Sequence, residues 1–444
     1  MQTAQNILED IIKSAKKAGA DAADALFYKS TSISVSRRMG NPEGLERSES
    51  SGIGLRVFVN QQPAIVSVSD ISRESLQEMV ERSVMMAKLS PKDEYSQIAV
   101  EELLAREIID LDLYDKNEPE VSWLQEQCKK SEDAALSVAG INNSEGADAG
   151  YGEVTFALAT SNGFNASYKS SNTSISVSVL AGSGTNMERD YDFSSARFIS
   201  DISAAETIGI NAANRALARL NPRKISTSKM PIIFDPRVSK GMAGILASAI
   251  NGAAIARGTS FLKDYLGKQI FAKNINIIDN PHILRGFGSR PFDGEGVKNQ
   301  KTFLVENGIL NTWLLDIRSA NKLGLKTTGN ASRGLSSPPS PSTSNLYIEN
   351  GDISPDDLMK DIKNGFYVNE VFGMGVNLVT GDYSQGASGV FIENGQKTYA
   401  VSEVTIAGKL LDMFKELIPA NDLTFKYSTN APTIRIDGMT IAGS

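Results

Sequence analysis

Two stretches of the sequence, VSDISRESLQEMVERSVMMAKLSPK (residues 68–92) and ISDISAAETIGINAANRALARLNPR (residues 199–223), align without a gap. The offset between them is 131 residues (199 − 68), which places one Ser-Asp-Ile-Ser on the other. Three further pairs are identical: Ala87 and Ala218, Leu89 and Leu220, Pro91 and Pro222. Each copy has the pattern of a strand end followed by a serine-capped helix that ends before a proline. The pattern predicts a duplication, and the alternative is chance recurrence of a common helix-start signal.

The residues upstream of each copy strengthen the duplication. Period-2 alternation marks TSISVSRR and GIGLRVFVN in the first copy, and VTFALAT and TSISVSVLA, separated by Asn162-Gly163, in the second. A helical pattern precedes each set, near residues 3–18 and 120–137. We therefore expect an α+β fold that starts with two α-β-β-β-α units, in which antiparallel sheets carry helices on one face. Their predicted boundaries are 1–115 and 116–226.

The remaining segment, 227–444, is predicted to be a large β-rich domain. Asn-Gly or Asp-Gly pairs predict hairpin turns at residues 307–308, 394–395 and 437–438. Helical patterns cover 237–256, 354–364 and 406–418. The central helix is unusual, because ten of the sixteen residues from Gly241 to Ala256 are Gly, Ala or Ser. Such a helix would leave room for another backbone to approach, and we expect this room at Gly252.

Composition excludes several classes of function. A net charge of −7 argues against nucleic acid as a partner, since phosphate binding needs clustered Lys and Arg. No apolar run reaches the ~20 residues of a membrane span, and the N-terminus lacks a secretory signal, so we expect a cytoplasmic protein. The single cysteine, Cys128, cannot form a disulfide within the chain, and His282 is the one histidine.

No motif names a reaction by itself. LGKQ at Leu266 lacks the glycine and hydroxyl residue of a phosphate-binding loop, and GMGVNLVTGD at Gly373 is more typical of a β-bulge or tight bend. GASGV at Gly386 breaks the spacing of a serine-hydrolase turn. We therefore expect a bulge or tight bend at Gly373 and a flexible glycine loop at Gly386.

A few polar residues remain candidates for chemistry. Asp293 and Glu295 would share a face of an extended segment and could bind a metal together with His282, although a solvated turn is the commoner outcome for glycine-flanked acids. Loosely clustered arginines could hold a peptide carboxylate or could be exposed to solvent: Arg257, Arg285, Arg290 and Arg333.

Long ordered strings across nearly the whole chain resemble the TldD/PmbA family. They are GLERSESSGIGLRVF, SFLKDYLGKQIF, NPHILRGFGSRPFDGEGV, FLVENGILNTWLLDIRSANKLGLKTTGNA and PTIRIDGMTIAG. The resemblance implies a two-subunit bacterial metalloprotease. Its TldD-type chains carry zinc on an HExxxH helix with a cysteine near the C-terminus, whereas its TldE/PmbA-type chains keep the fold, pair with TldD and lack the metal.

The resemblance aligns Ala247, Ser248 and Gly252 with the HExxxH residues. None can replace a histidine ligand or a glutamate base, and FKYSTNAPTIRI near the C-terminus has no cysteine. We therefore predict a TldE/PmbA-like chain without catalytic residues or a metal, with zinc in its TldD-like partner.

The same resemblance suggests what the chain binds. Unfolded or small peptides, such as precursor peptides and antitoxins, are the implied substrates. The candidate peptide-binding residues are Asn251, Gly252, Arg257, His282 and Arg333. A homodimer could form when the partner is absent. The alternatives are a non-proteolytic modulator of a DNA-processing enzyme or toxin system, and an enzyme that uses Asp293, Glu295 and His282 on another metal.

Overall fold

The computed structural model describes residues 3–443. The predicted α-β-β-β-α order is present in both units. The first unit comprises α1 (Ala4–Lys17), β1 (Ala22–Arg38), β2 (Asn41–Val59), β3 (Gln62–Val68) and α2 (Arg73–Leu89). The second comprises α3 (Val121–Leu136), β4 (Ile141–Thr160), β5 (Asn165–Ala181), β6 (Glu188–Ala196) and α4 (Ala205–Leu217).

The two units share one sheet. Strands β1 and β4 pair antiparallel, which gives a six-stranded sheet in the order β3-β2-β1-β4-β5-β6. Side chains alternate between its faces. Odd-numbered residues of β1, such as Ala25 and Val35, pack under the four helices. Even-numbered residues of β4 face the other way, where Leu158 joins Phe164 and Phe292 in a core shared with the C-terminal part.

The C-terminal part combines two sheets around one core. Its elements are β7 (Ser228–Phe234), α5 (Pro236–Ala249), α6 (Gly252–Arg257), β8 (Ile277–Asp279), β9 (Thr302–Glu306), β10 (Ile309–Leu310), α7 (Ile317–Leu323), β11 (Ala331–Ser332), β12 (Ser340–Pro341), β13 (Leu346–Ile348), α8 (Pro355–Met359), β14 (Asn364–Phe372), β15 (Val376–Asn377), β16 (Asp382–Glu393), β17 (Gln396–Lys409), α9 (Leu410–Lys415), β18 (Leu417–Pro419), β19 (Thr429–Asn430) and β20 (Ile434–Ala442).

One of the two sheets closes on itself. Strands β14, β7, β20, β17 and β16 are neighbours in that order, and β14 also pairs with β16, so the five strands form a barrel. The second sheet has the order β10-β9-β8-β13-β19. Helix α5 contacts β7 and β14 of the barrel and β13 and β19 of the second sheet. This position fixes α5 between the two sheets.

Several sequence predictions differ from the structure. The hairpin predicted at Asp437-Gly438 is wrong: these residues form a bulge inside the single strand β20, where its register with β7 shifts. The predicted helix 406–418 shortens to α9, because residues 406–409 end β17. The helix of the second repeat starts at Ala205 without a side-chain cap. Among residues 3–443, no helix has the length and apolarity needed to cross a bilayer.

Candidate functional site

The small-residue helix is broken, contrary to the prediction of one helix over 237–256. Asn251 has an extended backbone, and its side chain accepts hydrogen bonds from the backbone N–H of Ala253 (3.0 Å) and Ala254 (3.4 Å), which starts α6. Leu314 bridges the break, since its N–H donates to Ile250 and its carbonyl accepts from Gly252. This N-cap and the bridge explain why α5 stops at Ala249.

The residues aligned with the HExxxH motif therefore lie on two helices. Ser248 is exposed on α5, and its hydroxyl donates to the carbonyl of Gly244 at 2.9 Å. Ala247 is half-buried, and Gly252 is buried as the first residue of α6. A Cβ on Gly252 would lie 2.5 Å from Leu315 Cδ2 and 2.7 Å from the carbonyl oxygen of Leu314. The expected room for a peptide at Gly252 does not exist.

Open space lies instead along the other end of α5. A Cβ added to Gly241 or Gly244 would meet nothing within 4 Å. Both glycines line a cavity of about 590 Å³ between α5, the β6 edge of the N-terminal sheet, the end of β14 and the segment 427–429. We call it the α5 cavity. Its charged residues are four cations and two carboxylates: Arg189, Arg219, Arg237, Lys240, Asp190 and Glu370.

The arginines of the α5 cavity form an ion-pair network. Arg237 Nη1 donates to Asp190 at 2.8 Å, and Arg219 Nη2 donates to Glu370 at 2.7 Å. Burial tends to raise the pKa of Asp190, but the hydrogen bond and charge of Arg237 outweigh it and lower that pKa. Lys240 differs, because its Nζ lies 3.0 Å from the centre of the Tyr427 ring. Burial, with a contribution from Arg237, lowers the pKa of Lys240 to about 8.

A second, larger cavity of about 750 Å³ lies beside α6, and we call it the α6 cavity. Ala253, Ala256 and Arg257 form one wall, and residues 338–341 of the Pro/Ser loop form another. The side chain of Asn251 reaches this loop, where Nδ2 donates to the carbonyl of Pro341 at 3.0 Å. Of the predicted peptide-binding residues, Arg257 lines this cavity, and Asn251 contacts its wall through Pro341.

Arg333 is not available to a peptide, because its side chain is completely buried. Its Nη1 donates to Asp24 of the N-terminal sheet, and Arg56 Nε donates to the same carboxylate at 2.9 Å. Both cations lower the pKa of Asp24 against the opposing effect of burial. Arg56 Nη2 also lies 3.9 Å from Glu295 Oε1. Arg333 therefore holds the C-terminal part to the N-terminal sheet.

Asp293 and Glu295 are buried, so the prediction of a solvated turn is wrong. Asp293 accepts hydrogen bonds from the backbone N–H of Glu295, Val297 and Ala331. Glu295 Oε2 accepts from the N–H of Ile317 at 2.9 Å. Burial raises the pKa of both carboxyls, and for Glu295 the charge of Asp293 adds to this. These carboxyls organise loops of the C-terminal part, and Glu295 lies beside Arg56 of the N-terminal sheet.

The donor set does not fit a catalytic zinc. Within residues 3–443, no three His, Cys, Asp or Glu side chains are grouped to hold a metal ion. His282 Nε2 is hydrogen-bonded to Asn299 Oδ1 at 2.8 Å. Cys128 lies buried on α3, where burial raises its thiol pKa to about 12. His282, Asp293 and Glu295 therefore do not form the metal site of the alternative hypothesis.

Domain models of PmbA/TldA metallopeptidases match most of the chain. The domain 1 model covers residues 23–87, the central domain model covers 114–220, and the C-terminal domain model covers 227–443. The chain belongs to the PmbA/TldD family. The central match begins at residue 114, two residues before the predicted boundary at 116.

Individual relatives extend over the full length. The metalloprotease PmbA of Escherichia coli O157:H7 is 36% identical, with 100% of this chain and 98% of that protein covered. The PmbA homologue of Haemophilus influenzae is also 36% identical, with 98% of this chain and 94% of that protein covered.

Solved structures share the PmbA/TldD fold. A candidate modulator of DNA gyrase from Bacteroides thetaiotaomicron superposes with a TM-score of 0.92 at 28% identity over 100% of both chains. TldE from Thermococcus kodakarensis superposes with a TM-score of 0.83 at 22% identity over 98% of this chain and 100% of that chain, which supports the fold alone.

Sequence reasoning missed the residues of the α5 cavity. Arg237, Gly241 and Gly244 recur at steps of four and three residues, and Lys240 lies three after Arg237 and four before Gly244, which places these residues along one side of a helix. That spacing was a usable signal. The partners of this side, such as Asp190 and Tyr427, are distant in sequence and carry no local signature.

Proposed function

We propose that this chain is a TldE/PmbA-type, non-catalytic subunit of a zinc-dependent peptidase. The observation that carries the proposal is the state of the α5–α6 segment. Ala247, Ser248 and Gly252 stand where the resemblance places HExxxH, and the break at Asn251 separates them. Zinc needs at least three protein ligands in a catalytic site, and these residues supply none.

The partner of this chain would be a TldD-like subunit that carries HExxxH and the zinc. The names of the relatives support a peptidase role, since PmbA of E. coli O157:H7 and its H. influenzae homologue are called metalloproteases. We propose that this chain completes the chamber in the cytoplasm and positions unfolded or small peptides, such as precursor peptides and antitoxins. When the partner is absent, a homodimer could use the same surface.

Among the predicted peptide-binding residues, we retain Arg257, which lines the α6 cavity, and Asn251, which contacts the cavity wall at Pro341. Arg257 is exposed and forms no ion pair with any residue of the described chain. Gly252 and Arg333 are buried, and His282 is engaged with Asn299, so these three are withdrawn as peptide contacts. The remaining two residues lie where an extended chain could pass between α6 and the Pro/Ser loop.

The proposal is tested by reconstitution. This chain and the HExxxH-bearing chain of the same genome are purified separately, then assayed alone and mixed on an unfolded peptide. We expect cleavage in the mixture that a zinc chelator abolishes, and none with this chain alone. Equal activity of the partner with and without this chain would contradict a subunit role.

A second candidate function has one observation in its favour. The Bacteroides structure, similar over the full length, is described as a candidate modulator of DNA gyrase. In this reading the chain would bind a DNA-processing enzyme and proteolysis would be irrelevant. A mixture that associates but cleaves no peptide, together with inhibition or stimulation of gyrase by the chain, would favour it.

A further inference from the structure

Lys240 is a half-buried cation without a carboxylate partner within residues 3–443. The other cations of the α5 cavity are paired: Arg189 with Glu145 at 3.2 Å, Arg219 with Glu370 and Arg237 with Asp190. The ammonium of Lys240 contacts the face of Tyr427 and forms no hydrogen bond or ion pair with a described residue. Burial of a cation without a partner costs free energy, so binding of an anion beside it is stabilising.

The cavity beside Lys240 has room and hydrogen-bonding groups for such an anion. Gly241 and Gly244 present bare helix backbone to it. The side chains of Asn369, Ser428 and Thr429 line the cavity and form no hydrogen bonds with other described residues. These three side chains are able to form hydrogen bonds with the peptide amides next to a bound anion.

We propose that the α5 cavity binds a carboxylate group of a peptide and that Lys240 is the residue that contacts it. The inference rests on the proposed peptide-processing role. A single unpaired cation matches a single negative charge, whereas Asp190 and Glu370 would repel a doubly charged phosphate. Val238 and Val371 give the cavity apolar walls, which suit a peptide better than a bare ion.

The electrostatics of Lys240 agree with this assignment. Burial and the neighbouring Arg237 lower its pKa to about 8, so a bound carboxylate would raise it again. Binding at pH 8 should therefore take up a fraction of a proton. Nuclear magnetic resonance of 13C-methylated lysines would follow this change at Lys240 directly.

The experiment compares three peptides on the full chain by calorimetry. They are acetyl-Ala-Ala-Tyr with a free C-terminus, its C-terminal amide, and the amide of acetyl-Ala-Glu-Tyr. We expect at least one carboxylate-bearing peptide to bind about tenfold more tightly than the neutral amide, as a charged hydrogen bond allows. Preference for the first identifies the terminal carboxylate as the source, and preference for the third identifies an acidic side chain.

Three variants make the test specific. Lys240→Met should abolish the preference, and Lys240→Arg should restore most of it. Lys397→Met is the control, because Lys397 also lies over a tyrosine ring, with Nζ 3.2 Å from the centre of Tyr367, but is exposed and does not line the α5 cavity. It should leave the preference unchanged.

The proposal is overturned if the three peptides bind equally, if none binds, if Lys240→Met keeps the preference, or if Lys397→Met removes it as well. Its failure is distinguishable from failure of the proposed function. Zinc-dependent cleavage by the mixture without any carboxylate preference would remove only this inference. A carboxylate preference in a chain whose mixture is inert would remove only the subunit role.

Discussion

Single residues of the same type play opposite roles in the α5–α6 segment. Gly244 faces open space on α5, whereas Gly252 is enclosed by Leu314, Leu315 and Ser319. Both glycines sit in the same small-residue string, so sequence alone could not separate them. The predicted absence of zinc ligands at Ala247, Ser248 and Gly252 needs only residue identity at the aligned positions. The buried contacts of Gly252 were not readable, since α7 and its preceding loop lie about sixty residues further along the chain.

The two glycines give the first prediction. Gly252→Ala should lower the free energy of unfolding by about 1–3 kcal/mol, because its Cβ would overlap packed atoms. Gly244→Ala should raise it by about 0.5–1 kcal/mol, since an open helix interior favours alanine. Urea denaturation of both variants measures this. Equal free energies of unfolding for Gly252→Ala and Gly244→Ala would contradict the prediction that only Gly252 is enclosed.

At the scale of elements, strands and helices with local signals were predicted well. The repeated α-β-β-β-α order and the hairpins at 307–308 and 394–395 follow from periodicity and turn residues within a few positions. The Asp437-Gly438 turn failed because a bulge and a hairpin use the same left-handed backbone, and only pairing of β20 with β7 decides between them. The break between α5 and α6 likewise depends on Leu314.

The helix break gives the second prediction. Asn251→Ala removes the cap of α6 and the bond to Pro341, and should lower the free energy of unfolding by about 1–2 kcal/mol. Asn251→Asp keeps a capping oxygen and should recover part of the loss. Ser248→Ala is the control, because the exposed hydroxyl of Ser248 donates to the carbonyl of Gly244 in its own helix. Equal stability of Asn251→Ala and Ser248→Ala in thermal or urea unfolding would contradict the cap.

At the scale of the whole molecule, buried charges join the N-terminal sheet to the C-terminal part. Asp24 and Arg56 come from the sheet, whereas Glu295 and Arg333 come from loops that are more than two hundred residues away. Phe292, three residues before Glu295 in the sequence, also contacts the N-terminal sheet. The centre of its ring lies 5.0 Å from the centre of the Phe164 ring. No local pattern predicts such pairing, because Asp24 and Arg333 are 309 residues apart in the sequence.

This interface gives a pH prediction. Burial, and then the charge of Asp293, raises the folded-state pKa of Glu295 above its unfolded value of about 4.3. Between these two values the folded chain binds more protons than the unfolded chain, so stability falls as pH rises through this range. Glu295→Gln removes this titration and should flatten the decline by up to about 1 kcal/mol per pH unit.

The measurement is the free energy of unfolding from pH 5 to pH 8 for wild type and Glu295→Gln. The control is Glu403→Gln, because Glu403 is exposed and pairs with the exposed Lys224 at 3.7 Å. The free energy of unfolding of this control should depend on pH in the same way as that of wild type. A slope for Glu295→Gln that also matches wild type would mean that Glu295 is ionised in the folded chain throughout this range.

The central claim is that this chain is the subunit of a two-subunit peptidase that does not bind the metal. The most direct measurement is zinc content, by elemental analysis and native mass spectrometry, of this chain alone and of its complex with the HExxxH-bearing chain. We predict no zinc in the isolated chain and one zinc per pair in the complex, carried by the partner and required for peptide cleavage. Zinc bound by the isolated chain together with peptidase activity would contradict the account.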